Sequence, residues 1–246
     1  MREASEETAK LLQDNWQRVM LEVSDACRAA GRRAEEVQVV GVSKYVGPEL
    51  AWQLVQAGCP ILAENRPQLL WEKYDYFSER NSPNTGRQSP QWHLIGHLQR
   101  NKLRRTLPMI ALLHSLDSLR LAEAISLEGV EQQMRHRVLC EVNVSRDTNK
   151  TGLMVDDLRE LLERAVGLSG IEVCGLMAMS SLNASEDVAQ REFEQVRELR
   201  DQLQSDYAGQ FAFTELSMGM SGDFRAAIAA GATLVRIGSH LWQGIM

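Results

Sequence analysis

Lys44 ends the apolar run Val37-Gln38-Val39-Val40-Gly41-Val42-Ser43. Most lysines decorate solvated helix faces, but one at the C-terminal end of a buried strand faces the ligand-binding mouth of an α/β fold. An amine held there, partly desolvated, can attack a carbonyl and form a Schiff base. Two glycine-containing segments near the other end, Leu216-Ser217-Met218-Gly219-Met220-Ser221-Gly222-Asp223 and Arg236-Ile237-Gly238-Ser239, read as turns after late strands. Glycine lets backbone N–H groups approach an anion closely, and serine hydroxyls add donors, so paired turns of this kind suit a phosphate. Asp223 would repel a phosphate and reads as facing away, complementing the helix it begins.

These groups need a scaffold that brings strand ends together. From Glu3 to Ala30 the apolar residues Leu11, Leu12, Trp16, Val19, Val23 and Ala26 recur at helical spacing, and Gly31 ends the pattern. Short apolar runs then alternate with amphipathic segments. The expected strands lie near 38–43, 60–63, 91–95, 111–114, 137–143, 171–177, 213–216 and 234–237. The clearest helix follows Ser185, with Val188, Phe193, Val196, Leu199 and Leu203 along one stripe. Eight strands in 246 residues match the size and rhythm of a (β/α)₈ TIM barrel better than an open doubly wound sheet. The first helix either caps the barrel bottom or packs outside it. Asn81 to Pro90 reads as a surface loop too short to separate domains. A single domain over 1–246 is expected, with the extra N-terminal helix in 1–31 and the barrel in 37–246.

Composition excludes several classes. A formal charge of −6 argues against a nucleic-acid partner, and Arg100, Lys102, Arg104 and Arg105 read as a solvated helix face. Cys27, Cys59, Cys140 and Cys174 form no C-x-x-C pair, which suits reduced, buried thiols in a cytoplasmic protein. Among His93, His97, His114, His136 and His240 no metal-ligand spacing stands out, and Gly96 interrupts the His93/His97 pair, so no metal is expected. The polar start carries no secretory signal, and no run approaches the ~18 apolar residues of a membrane span.

Arg236 lies inside the last apolar run, where a guanidinium is costly without a partner. A structural salt bridge would explain it. With a phosphate site beside it and Lys44 across the barrel, a ligand role competes with that reading. A cofactor that is both aldehyde and phosphate ester is pyridoxal 5′-phosphate (PLP).

The ordered motifs sharpen this. Val42-Ser43-Lys44, Glu64-Asn65 with Gln68, Trp92-His93-Leu94-Ile95-Gly96-His97-Leu98-Gln99-Arg100-Asn101-Lys102 and His114-Ser115-Leu116-Asp117 are followed by Asn143 and Lys150-Thr151-Gly152. Then come Gly175-Leu176-Met177-Ala178-Met179, Leu216 to Ser221, and Val235 to Ser239. Together they resemble the PLP homeostasis proteins, also called proline synthetase co-transcribed proteins. The resemblance implies a fold-type III PLP-binding barrel similar to the N-terminal domain of alanine racemase. It implies Lys44 as the Schiff-base lysine, Ser217, Met218, Gly219, Gly238 and Ser239 around the phosphate, Arg236 at the pyridine nitrogen and Asn65 near the ring. His93 and Met177 fall in matching motifs, where packing and cofactor contact are both open. Ala63 replaces a glycine common before Glu-Asn, and Pro67 departs from the pattern in a way that suits a first helical turn.

An arginine at the pyridine nitrogen disfavours its protonation and weakens the ring as an electron sink. Racemases of the related fold add a tyrosine from a separate β-domain, and this sequence ends at Met246 just after the eighth strand. The expectation is a monomeric carrier that holds PLP and passes it to apo-PLP enzymes and free amino acids, without catalytic turnover. The alternatives are a PLP-dependent amino-acid racemase using Tyr45 or His93 as the second proton relay, and a Schiff-base aldolase of sugar phosphates.

Overall fold

The computed structural model describes residues 2–80, 89–143 and 151–246. Most of the expected loop Asn81 to Pro90, and Lys150 of the Lys150-Thr151-Gly152 match, lie outside the described residues. Eight strands run parallel in sequence order: β1 (Gln38–Val42), β2 (Ile61–Glu64), β3 (Gln91–Leu94), β4 (Leu112–Leu116), β5 (His136–Glu141), β6 (Ile171–Met177), β7 (Glu215–Met220) and β8 (Leu234–Ile237). β8 pairs back onto β1 and closes the barrel, as the TIM-barrel expectation requires. The helices are α1 (Arg2–Ala29), α2 (Pro48–Gln56), α3 (Pro67–Arg80), α4 (Leu103–Thr106), α5 (Leu119–Gln132), α6 (Val155–Ala165), α7 (Glu186–Asp206) and α8 (Phe224–Ala229). None of the described helices is long and apolar enough to cross a membrane.

Strands buried on both faces explain the near-continuous apolar runs. Val39, Leu62, Leu113, Val138 and Val235 pack outward in the barrel–helix layer, while Val40, Val42, Ile61, Ala63, Leu112, Leu139 and Leu234 fill the interior. β6 breaks the two-residue alternation: Cys174 and Met177 both join the interior, while Val173 and Leu176 both face out. The cause is a bulge between the Val138 and Leu139 pairings, where Gly175 takes φ 156°. A Cβ on Gly175 would lie 1.9 Å from Glu215 O of the next strand, so only glycine fits.

The interior also carries a string of polar side chains. Arg236 Nη1 donates to Ser217 Oγ (2.7 Å), Ser217 Oγ meets His114 Nδ1 (2.8 Å), and His114 Nε2 meets His93 Nδ1 (2.9 Å). Burial pushes both imidazoles down, His93 to about 3, so both are neutral in the fold. With neutral rings, a consistent direction of donation runs from Arg236 through Ser217 and His114 to His93.

α1 lies outside the barrel against α2 and α8, which decides between the two placements open for it. Leu12, Trp16, Val19, Val23 and Ala26 face the core, and Gly31 at φ 68° ends the helix. Asn15 Nδ2 donates to Leu241 O (3.1 Å) and Gln243 O (2.9 Å), tying α1 to the segment after β8.

Several expectations need correction. β7 was expected at 213–216, but the strand begins at Glu215 and runs through Ser217, Met218 and Gly219 to Met220. Phe213, at the head of the expected run, lies before the strand and packs in the outer layer, with its N–H bonded to Gln204 Oε1 (2.9 Å). The first part of the serine- and glycine-rich segment, Leu216 to Met220, therefore is strand, with a bulge between the Ser217 and Met220 pairings to β8, and only Ser221 to Asp223 form the expected turn. Strand β5 stops at Glu141, two residues short of the expected 143. On α7, capped by Ser185 Oγ, the buried stripe begins at Ala189, and Val188 is only half-buried. Pro67 does open α3.

Gly175→Ala is expected to cost about 3 kcal/mol in unfolding free energy, since strain at that φ and the backbone clash add; urea denaturation measures it, and a neutral result would contradict the bulge. The two buried imidazoles set an acid limit. The unfolded chain protonates both below about pH 6.5, whereas the fold does not, so their contribution is full above that pH and is lost as pH falls toward the folded value. Unfolding free energy is expected to drop by up to about 1.4 kcal/mol per pH unit per histidine between about pH 6 and 4, and a flat profile there would contradict neutral burial.

Candidate functional site

Lys44 sits two residues beyond β1, half-buried, in the turn that leads through Gly47 into α2. Its Nζ lies 4.9 Å from the ring centroid of Tyr45, whose side chain is exposed. Ser43 is fully buried, and its backbone is held from two sides. Its N–H donates to Ala63 O (3.0 Å), and its carbonyl accepts from Lys73 Nζ of α3 (2.8 Å). Lys73 also forms a buried ion pair with Glu64, the last residue of β2, and Ser43 Oγ donates to the same carboxylate oxygen (2.7 Å).

Arg236 is not across the barrel from Lys44. The β1–β8 register pairs Arg236 with Val40, so the two residues lie on neighbouring strands, with Lys44 four positions nearer the mouth. Arg236 is buried, and its guanidinium donates to Ser217 O (2.7 Å), Ser217 Oγ (2.7 Å) and Ala178 O (3.0 Å). A guanidinium carries five N–H donors, so two keep no protein acceptor among the described residues. Burial lowers its pKa to about 10, opposed by the carboxylates of Asp223 and Glu141, so it remains a cation at neutral pH. Its partners answer the structural question that its burial raised: three neutral oxygens hold it, with no salt bridge to a carboxylate among the described residues.

Beyond the bulge, the loops after β7 and β8 meet at Ser221 Oγ, which accepts from Gly238 N–H (3.2 Å). The N–H groups of Ser221, Gly222, Ser239 and His240 have no acceptor among the described residues. Unpaired N–H groups on two touching loops are the kind of donors an anion cradle needs. A Cβ on Gly238 would meet only Val42, at ordinary contact distance (3.6 Å). Gly219 acts differently: at φ 88°, its missing Cβ would collide with Ala227 Cβ at 2.5 Å, so it seats β7 against α8. Asp223 makes no side-chain cap of α8, contrary to expectation. Its carboxylate turns to Met220 N–H (2.5 Å) and Ser180 Oγ (2.5 Å), so these donors occupy both its oxygens.

The other expected residues scatter. Met218 is buried in the outer layer, so its side chain does not line the barrel interior. Ser217 does face inward, with Oγ engaged by Arg236 and His114. Met177 packs among the interior apolar residues and His93 pairs with His114, which places both in the barrel interior. Asn65 is half-buried just past β2, with its backbone pressed on Gly96, where an added Cβ would approach Asn65 O to 2.2 Å.

Sequence reading missed Glu141 and Lys73, and gave Glu64 and His114, named only within motifs, no role of their own. Glu141 ends β5 inside the mouth; burial pushes its carboxyl pKa up, opposed by the hydrogen bond from Thr151 Oγ1 (2.5 Å). The signal was available, because Glu64 and Glu141 each end an apolar strand run, as Lys44 nearly does. An amine at the mouth, a cradle of open N–H groups and a buried guanidinium with donors to spare together suit a phosphorylated aldehyde whose ring carries an acceptor.

Comparison with known proteins points the same way. A model of the family described as alanine racemase, N-terminal domain, matches residues 78–244. The pyridoxal phosphate homeostasis protein of Aquifex aeolicus is 36% identical over 225 residues, spanning 92% of this chain and 94% of its own. A crystal structure of an unknown protein from Bifidobacterium adolescentis superimposes with a TM-score of 0.86 at 32% identity, covering 95% of each chain. The structure of PipY of Synechococcus elongatus with PLP bound gives a TM-score of 0.76 at 32% identity, covering 84% of this chain and 92% of that one. On these matches the chain belongs to the alanine racemase N-terminal domain family and, within it, to the pyridoxal phosphate homeostasis proteins.

Proposed function

We propose that this protein holds PLP through Lys44 and serves its intracellular homeostasis, without catalytic turnover. The observation that carries the reading is the placement, on and just beyond the adjoining strands β7, β8 and β1, of an amine, a set of open N–H groups and a spare-donor guanidinium, in a fold whose relative PipY carries PLP. Lys44 Nζ supplies the amine. Its condensation with an aldehyde forms one C=N bond and releases one water, and water or a second amine reverses it. The N–H groups of Ser221, Gly222, Ser239 and His240 would hold the phosphate, Gly238 would leave them accessible, and Asn65 would border the ring. Bound PLP supplies an electron sink whose strength depends on its ring nitrogen. Arg236, which stays a cation at neutral pH, would donate there, keep that nitrogen unprotonated and leave the sink weak, which favours holding over turnover.

Recipients follow from the same reversible bond: free amino acids and apo-PLP enzymes, both of which present an amine. The chain is read as a monomer, and the residues assigned to the site come from one barrel, in keeping with a single domain over 1–246. Tyr45 beside Lys44 keeps the racemase alternative concrete, and its exposure argues against a relay shielded from solvent.

Borohydride reduction of the PLP-loaded protein is expected to leave a phosphopyridoxyl group on Lys44 by peptide mass analysis, and Lys44→Ala is expected to abolish it. A label elsewhere overturns the assignment. Loaded protein is also expected to reactivate an apo-PLP enzyme while exchanging no α-hydrogen of added amino acids with deuterated solvent. Exchange lost in Tyr45→Phe would install the racemase instead. For the cradle, Gly238→Asp is expected to weaken PLP binding at least about tenfold, the loss of roughly one charge-assisted hydrogen bond, and to leave pyridoxal, which lacks the phosphate, unaffected in a fluorescence titration. Equal loss for both ligands would mean that the phosphate sits elsewhere.

A further inference from the structure

The strand that delivers Lys44 ends with carbonyls that the sheet no longer pairs. β2 stops at Glu64 and β8 at Ile237, so Val42 O and Ser43 O lie at the rim of the ladder. Side chains from outside the barrel take over. Trp242 Nε1, from the segment after β8, donates to Val42 O (2.8 Å), and Lys73 Nζ, from α3, donates to Ser43 O (2.8 Å), which also accepts the turn bond from Val46 N–H (3.0 Å). Both donors are buried, and both carbonyls fall within the two residues preceding Lys44. Glu64 completes the arrangement by accepting from Lys73 and from Ser43 Oγ.

Stability alone gives no reason for such a choice. A buried ion pair loses most of its Coulomb gain to desolvation, and well-packed apolar side chains in its place are often neutral or better. Glu64 Oε2 is buried with no partner among the described residues, a further cost that a device built for stability would avoid. What the pair does secure is orientation: it pins the peptide that launches a long, rotamer-rich side chain whose amine must meet a carbonyl at bonding distance. It also ties that peptide to the next strand, because Glu64 O accepts from Ile95 N–H (2.9 Å), so the ends of β1, β2 and β3 are fixed together.

We propose that Lys73, Glu64 and Trp242 are positioning residues that clamp the Val42–Ser43 backbone and so aim Lys44 into the barrel mouth. This rests on the PLP reading, and it goes further in separating covalent capture from ligand binding. The cradle and Arg236 bind the phosphate and ring without Lys44, so loosening the clamp penalises only the step that needs the amine.

The test compares PLP with 4′-deoxypyridoxine 5′-phosphate, which has phosphate and ring but no aldehyde. The double variant Lys73→Met/Glu64→Gln removes both charges together, leaving neither buried alone. Trp242→Phe removes the other donor and keeps most of the ring volume. In each variant, PLP affinity is expected to fall at least tenfold and the rate of borohydride-trappable label on Lys44 to fall with it, while affinity for the deoxy analogue stays within twofold. Parallel loss for both ligands in both variants would mark the residues as merely structural and overturn the proposal, as would unchanged PLP affinity in both. If the double variant does not fold, Trp242→Phe decides by the same comparison. Wild-type protein separates the two readings: no label on Lys44 there sinks the PLP assignment, whereas wild-type labelling with unselective variants sinks only the clamp.

Discussion

The ladder between β1 and β8, running from Gln38 opposite Leu234 to Gly41 opposite Ile237, joins the beginning of the barrel to its end. Every other part of the candidate site takes its place from this closure. Without it the sheet would be open, with two exposed edges, and Lys44 and Arg236 would lie at opposite sides of it. With it, they occupy neighbouring strands at different depths, and the loop after β8 reaches the end of β1. Trp242 then closes onto Val42 O, and α1 holds the returning segment through Asn15.

Closure also creates an interior that must be filled, and this barrel fills its upper part with polar groups. Arg236, Ser217, His114 and His93 satisfy one another in a line, so the desolvation cost of each is offset by defined hydrogen bonds. The guanidinium is thus held by neutral oxygens and keeps its charge, while its spare N–H donors stay available. Had a carboxylate paired with it, much of the field that a ring nitrogen would meet there would be cancelled. The polar string reconciles a stable core with a cation that acts on a ligand.

Some of this was legible from residue order. The β1, β6 and β8 runs, the stripe of α1 ended by Gly31, and the Ser185 cap of α7 follow from periodicity and local hydrogen bonding, and each stands in the fold nearly where the pattern put it. β7 did not, because its serine and glycine carry turn-like local preferences while neighbouring strands and a bulge impose extension. Phe213, inside the expected run, is buried ahead of the strand, since hydrophobicity reports burial without saying against what.

The site divides in the same way. Sequence by itself determined the chemistry on offer: a lysine just past a buried strand, an arginine within another, and glycine–serine segments able to approach an anion. Those are properties of residue type and local period, and no tertiary contact is needed to see them. Only the tertiary structure decided which of them meet. Register put Arg236 beside Val40, turned Met218 outward while Ser217 faced in, and left Ser221 and Gly222 with open N–H groups. It also brought Lys73, nine residues beyond Glu64 and on another element, under Ser43 O. Such pairings depend on how a helix packs on a strand, and no local pattern encodes that distance.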